Sequence, residues 1–197
     1  MIEPYDLPNE VIRIGVAVGL FRNEISAIQG RKTRSHSGDA SGRWSIPGSI
    51  AEALLLWEYP TIGKSWTWRA VNSVKNERDC GPFEVEATMG KGRALILREA
   101  DLRQGMPEDT PYVSVYLEAS NPPGYDNCSI DYETCEWRGC IQGFMPIGAG
   151  IAWVRSKLMP RTKDVWLVSP EDLYPLDLWP EIAEALAASS TPLTAYP

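Results

Sequence analysis

Apolar residues near the N-terminus recur with the spacing of an α-helix. The intervals are four, three, four and three residues, which place the side chains on one stripe. The residues are Ile14, Val18, Phe21, Ile25 and Ile28. Pro8 before the stripe and Gly30 after it are typical helix boundaries, so a helix is predicted over 9–29. An alternation that would suit a strand is shorter and ranks second; it comprises Ile12, Ile14, Val16 and Val18.

The segment 47–57 is almost entirely apolar and predicts a second, buried helix. Ser45 suits the N-cap and Pro47 suits the first turn. Glu52 is the single charged residue in this run. Because charged side chains are rarely buried unless they are paired or bind a metal, Glu52 is a candidate functional residue. The alternative is an ion-paired or snorkelling glutamate on the exposed side of the helix.

Short strand patterns dominate from residue 65 onward, separated by turn-rich segments. They cover 65–71, 83–88, 93–98, 112–118, 137–144 and 164–168. Helices are predicted over 147–158 and 177–188, and a capped turn over 169–172. Helices followed by strands and a mixed remainder indicate an α+β or mixed α/β domain. We expect a single domain over 1–188 and a frayed tail over 189–197.

The stretch DCGPFEVEATM, residues 79–89, holds three acidic residues close together. Glu84 and Glu86 share one face of the predicted strand, because side chains alternate along a strand. Asp79 lies just upstream of the turn. This cluster indicates either a solvated strand face that includes Thr88, or a site for a hard cation such as Mg²⁺ or Mn²⁺. Three further acids are interpreted as solvated loop residues: Glu99, Asp101 and Asp109.

Composition narrows the class of protein. With 197 residues and a net charge of −7, the chain can bury a core but does not suit tight, non-specific binding to nucleic acid. No apolar run is long enough for a membrane span, and the acidic N-terminus does not resemble a signal peptide, so an intracellular protein is expected. The eight tryptophans, Trp66, Trp68, Trp153 and Trp166 among them, are expected to pack in the core.

The four cysteines form no CxxC pair, and free thiols are expected. A zinc site built from Cys128, Cys135 and Cys140 is the alternative, although the spacing is poor. The single histidine, His36, lies far upstream and is interpreted as an exposed loop residue rather than a metal ligand.

Taken together, the segments resemble small phage and prophage proteins that carry a PD-(D/E)XK nuclease-like domain. The resemblance extends from about residue 10 to about residue 180, and its order and spacing are more specific than any one piece. The segments are GVAVGLFRNEISAIQG, SGDASGRW, IPGSIAEALLL, DCGPFEVEAT and DVWLVSPEDLYPL. The resemblance implies a restriction-endonuclease-like core, a central mixed sheet flanked by helices.

Carried over position by position, the resemblance implies a metal site. Asp79 and Glu84 would be ligands of Mg²⁺ or Mn²⁺, and Glu52 would support them. Glu86 falls where the family has lysine, which normally orients the attacking water and neutralises charge on the phosphate. Glu86 would then join the metal site, or Lys91 or Arg93 would supply the missing charge and contact phosphate, or the site would be degenerate.

Two functions therefore stay open. The first is a Mg²⁺- or Mn²⁺-dependent DNA endonuclease that hydrolyses phosphodiesters, with catalytic residues Glu52, Asp79, Glu84 and Glu86. The second is a non-cleaving nuclease-fold protein that binds a host or phage protein, as a phage accessory or anti-defence factor. A weaker third interpretation is an acidic mimic of nucleic acid. Each implies action in the cytoplasm, inside the host cell if the protein is encoded by a phage.

Overall fold

One helix packs on a face of a four-stranded mixed sheet and a second helix packs on the first; a smaller two-stranded sheet lies beside them. The computed structural model describes residues 2–28, 45–59, 79–89, 94–121, 132–157 and 164–179. The strands are β1 Tyr5–Asp6, β2 Glu84–Met89, β3 Leu95–Arg98, β4 Pro111–Ser120, β5 Glu136–Pro146 and β6 Val165–Val168. The helices are α1 Asn9–Ile28, α2 Ser45–Glu58, α3 Glu99–Arg103 and α4 Ile147–Lys157.

The main sheet has the strand order β1-β5-β4-β2. Strand β2 runs parallel to β4, with Glu84 beside Tyr112 and Glu86 beside Ser114. The pairs β4–β5 and β1–β5 are antiparallel. Strands β3 and β6 form the separate antiparallel pair. Since β2 and β4 are parallel neighbours, the chain between them crosses over through β3 and α3, which brings Arg98 back beside β2.

The larger hydrophobic core lies between α2 and one face of the main sheet. Helix α2 contributes Ile50 and Leu54, and the sheet contributes Val85 and Val113, which sit side by side on β2 and β4. The second core forms around α4 and the β3–β6 pair, and includes Tyr112. Because side chains alternate on a strand, the odd-numbered β2 residues face α2 while Glu84 and Glu86 face the other side.

Helices α1 and α2 cross at very short range through two glycines. A Cβ placed on Gly15 would lie 2.6 Å from the Cα of Ile50, and one placed on Gly19 would lie 2.6 Å from the Cα of Ile46. No side chain fits there without moving one of the helices. This close approach is what allows a side chain of α1 to reach the polar residues of α2.

Most of the elements that the sequence predicts are confirmed, with boundaries shifted by a few residues. Both N-terminal helices, the strands β2 to β6 and the helix α4 are present. The predicted strand 65–71 and the last part of the predicted helix 177–188 lie outside the described residues. Within the described part of 177–188, Leu176–Leu178 is a single 3₁₀ turn. The mixed α+β class and the sheet flanked by helices are confirmed.

The apolar stripe that predicts α1 is largely exposed, although the helix itself is confirmed. Val18 is buried, but Ile14, Phe21 and Ile28 are 45%, 54% and 78% exposed. The helix instead buries Val11, the two glycines and Val18, because close packing of the two backbones stabilises the helix pair more than large side chains held apart. Sequence periodicity alone cannot show that preference.

Two side-chain predictions are corrected, and two are confirmed. Trp166 is buried as expected, whereas Trp153 is 43% exposed on α4. Glu99 is not a solvated loop residue, because its carboxylate accepts hydrogen bonds from Arg155 at 2.5 Å and from the Trp166 indole at 2.7 Å. The described cysteines Cys80, Cys135 and Cys140 are thiols and not part of a disulfide, as predicted.

The helices in the described ranges include none that is both long enough and apolar enough to cross a membrane. Side chains that carried sequence predictions and lie outside these ranges include those of His36, Trp66, Trp68, Lys91, Arg93 and Cys128.

Candidate functional site

Glu52 lies in the buried face of α2 and is held by an arginine of α1. The Arg22 guanidinium donates to both carboxylate oxygens, with Nη1–Oε1 at 2.6 Å and Nη2–Oε2 at 2.8 Å. Arg22 also donates to the hydroxyl of Ser49 at 3.2 Å, one turn earlier on α2. Glu52 is only 4% exposed. We call Arg22, Ser49 and Glu52 the helix cluster; it shows that the buried glutamate is ion-paired.

The electrostatics of the helix cluster follow from burial and pairing. Burial alone would lower the pKa of Arg22, but the hydrogen bonds and charge of Glu52, with the charge of Asp79, raise it above its ordinary value. Arg22 is therefore a fixed cation. A bidentate arginine–carboxylate pair is among the strongest hydrogen-bonded arrangements in proteins.

Asp79 fixes the start of β2. Its Oδ2 accepts the backbone N–H of Val85 at 3.1 Å. Between these residues Cys80 and Phe83 exchange two backbone hydrogen bonds, at 3.1 and 2.9 Å, and Gly81 supplies the positive φ of 56° that the turn needs. The carboxylate of Asp79 thus stabilises this turn through a hydrogen bond to the backbone. This role is the same whether or not a metal ion is bound nearby.

Glu84 and Glu86 lie on the sheet face that points away from α2. Glu84 is 8% exposed and Thr88 is 6% exposed, so a solvated strand face is ruled out. Glu86 is half-buried and paired with Arg98 of β3, with Nη2–Oε1 at 2.8 Å and Nη1–Oε2 at 3.4 Å. The basic group beside Glu86 is therefore Arg98.

Tyr112 of β4 completes this second group. Its hydroxyl donates to Asp101 at 2.8 Å. Burial raises the pKa of Tyr112, and so do its hydrogen bond to Asp101 and the charges of Glu84 and Glu86. We call the five residues the strand cluster: Glu84, Glu86, Arg98, Asp101 and Tyr112. Asp101 is thus not a solvated loop residue, contrary to the sequence interpretation.

The Cys80 thiol lies where the two clusters approach each other. It donates to the backbone carbonyl of Glu52 at 3.9 Å. Burial raises the pKa of this thiol, and the charges of Glu52, Asp79 and Glu84 raise it further. Three of the four predicted acids therefore raise the pKa of one buried thiol: Glu52 from the helix, and Asp79 and Glu84 from the turn and the strand that follows it. Glu86 lies further along the strand, with Arg98.

These positions bear directly on the predicted metal site. Within the described ranges, no group of three or more His, Cys, Asp or Glu side chains is arranged to hold a metal ion. Both oxygens of Glu52 face a guanidinium rather than the other acids. As arranged, these side chains do not fit a preformed divalent-cation centre, and the roles given to Asp79, Glu84 and Glu52 stay predictions.

Sequence reasoning missed the two arginines that define the site. Arg22 falls on the same helix face as Gly15 and Gly19, and that small-residue spacing was the available signal. Arg98 ends the strand segment RALILR, but nothing in a single sequence indicates that the chain crosses over to place it beside Glu86. Both contacts depend on tertiary structure.

Comparison with protein-family models, with curated proteins and with solved structures gives no match for this chain. The functional argument therefore rests on the residues and on their geometry.

The pairing of Glu86 with Arg98 predicts a dependence of stability on pH. Burial raises the pKa of Glu86 above its ordinary value of 4.5, and Arg98 opposes that rise. A carboxyl whose pKa is raised by folding stabilises the fold below its unfolded pKa, and this contribution is lost as the pH rises through the folded value. Replacing Arg98 by methionine should raise the pKa of Glu86 further. The variant should lose more stability than the wild type as the pH rises above 4.5, the ordinary pKa of the carboxyl.

Urea denaturation at several pH values measures this difference. Adding Glu86→Gln to Arg98→Met is the matched control, since the double variant should have lost the extra pH dependence. Parallel stability curves for the wild type and Arg98→Met would contradict the assignment of Arg98 as the counter-charge of Glu86.

Proposed function

We propose that this chain is a nuclease-like protein that acts by binding and does not cleave phosphodiesters. The observation that carries the proposal is the bidentate pair between Arg22 and Glu52. A guanidinium takes up the carboxylate that the resemblance assigns to metal binding. Pairing of that kind supplies a fixed positive charge without an exchangeable ion, and it engages both oxygens of the carboxylate.

The strand cluster supports the same conclusion. Glu86 stands where the family has lysine and is itself neutralised by Arg98. The mixed sheet flanked by helices suits a restriction-endonuclease-like core, which we include in the proposal. Two of the four residues expected to carry catalysis, Glu52 and Glu86, thus form internal ion pairs. Such pairs stabilise a scaffold rather than a developing charge on phosphate.

The partner that fits best is a protein of the host or of a phage, which would make the chain an accessory or anti-defence factor. A net charge of −7 opposes non-specific attachment to DNA. An acidic mimic of nucleic acid is less well supported, because Glu52 and Glu86 are paired inside the molecule rather than displayed on its surface.

A second candidate function has a specific observation in its favour. Glu52, Asp79 and Glu84 each raise the pKa of the Cys80 thiol, so the charges of all three acids act at this one buried sulfur. If Arg22 swung away, these acids could face a divalent cation. The chain would then be a Mg²⁺- or Mn²⁺-dependent DNA endonuclease, with Asp79 and Glu84 as ligands and Glu52 in support.

Incubation with supercoiled plasmid separates the two functions. The purified protein is tested with Mg²⁺ and with Mn²⁺ beside Asp79→Ala, and nicked and linear products are quantified. We expect no product above the level of the Asp79→Ala protein with either metal. Nicking by the wild type that Asp79→Ala abolishes would overturn the proposal and establish the endonuclease.

A further inference from the structure

Helix α1 presents a row of apolar side chains to solvent on the side that α2 does not cover. Ile14, Phe21 and Ile28 are 45%, 54% and 78% exposed. They are spaced by seven residues, so the row extends about 21 Å along the helix with little rotation around it. Exposed large apolar side chains aligned on one side of a helix are typical of an interaction site.

Two exposed charged residues lie beside this row, and their positions indicate which partner surface would be complementary to it. Arg13 and Glu24 are both exposed, and at about 100° of rotation per residue both lie on the same side of the row. Arg13 stands six residues before position 19 and Glu24 stands five residues after it. A second α1 laid antiparallel, with a two-fold axis at the level of position 19, would therefore set Arg13 beside Glu24 of the second copy.

The same axis matches the apolar side chains. Phe21 would pack against Ala17 of the second copy, because the two positions are equally distant from the axis. A parallel arrangement would instead place Glu24 level with Glu24 of the second copy, which is unfavourable because like charges repel. The antiparallel arrangement repeats every contact twice, as an isologous two-fold interface requires.

We propose that the occupant of this face is a second copy of the chain, docked through α1 in antiparallel orientation. The row Ile14, Phe21 and Ile28 forms the centre of the interface, and Arg13 and Glu24 form its two symmetric ion pairs. The row lies about 100° around α1 from Arg22, so the interface does not include the helix cluster and survives the failure of the proposed function.

Sedimentation velocity of the full chain over a range of concentrations tests the interface. The wild type should show a monomer–dimer equilibrium, and Phe21→Glu should raise the dissociation constant by at least about tenfold. Trp153→Glu is the matched control, since it places the same charge at another exposed aromatic, 43% exposed on α4. The control should dimerise like the wild type. Circular dichroism confirms that each variant is folded.

Charge reversal tests the orientation. Arg13→Glu and Glu24→Arg should each weaken the dimer, by about threefold, and the double variant should recover wild-type affinity. A wild type that stays monomeric at every concentration, or a dimer that Phe21→Glu leaves unchanged, would overturn the proposal. A double variant weaker than both single variants would overturn the antiparallel arrangement.

Discussion

Replacing Arg22 by methionine should lower the free energy of unfolding by about 3 kcal/mol, the range found when one partner of a buried ion pair is removed. The change leaves the Glu52 carboxylate, which is 4% exposed, without the guanidinium that faces both of its oxygens. It also removes the donor to the Ser49 hydroxyl. Urea denaturation followed by tryptophan fluorescence measures the loss.

A double-mutant cycle identifies the cause of that loss. Glu52→Met added to Arg22→Met should recover most of the stability, because apolar side chains of similar size can replace a buried pair at little cost. Were Arg22→Met to cost less than about 1 kcal/mol, the pair would behave like a surface salt bridge. The helix cluster would then not be the fixed feature described above.

Replacing Gly19 by alanine should also be strongly destabilising, by about 2 kcal/mol, as is usual when a well-packed contact is overfilled. The added Cβ would lie 2.6 Å from the Cα and 2.8 Å from the backbone nitrogen of Ile46, so the helices must separate. This cost outweighs the gain of up to about 1 kcal/mol that alanine brings over glycine inside a helix. Making the same change at Gly15 should add to the loss.

Gly48→Ala is the matched control for this prediction. Gly48 is also helical, in α2, but nothing lies within 4 Å of a Cβ placed on it. Its replacement should leave stability unchanged or raise it slightly. Chemical denaturation of the three proteins gives the comparison. Equal stability of Gly19→Ala and Gly48→Ala would show that the two helices do not depend on backbone contact at this crossing.

The sequence predicts the elements well because their signals are local. The apolar segment of α2 and the aliphatic strand β4 are each recognisable within a dozen residues. The packing of α1 is different. Its large side chains suggest one buried face, whereas the face that packs on α2 is the one that carries Gly15 and Gly19. Gly15 and Gly19 carry no hydrophobic signal in the sequence, yet both lie on the face of α1 that contacts α2.

For the candidate site, sequence reasoning identified Glu52 as unusual but not its partner. A lone acid in an apolar helix indicates either ion pairing or metal binding. Only the close packing of α1 on α2 shows that the partner of Glu52 is Arg22. Glu86 is similar, because Arg98 reaches it through a parallel crossover between β2 and β4. Tertiary contacts of this kind leave no pattern in a single chain.

Calorimetric titration of the wild type with Mn²⁺ tests most directly whether an arginine has taken the place of a metal. The account predicts no saturable binding in the micromolar range, because the Glu52 carboxylate faces Arg22 on both oxygens. Micromolar binding of Mn²⁺ to the wild type that Glu52→Gln abolishes would contradict it.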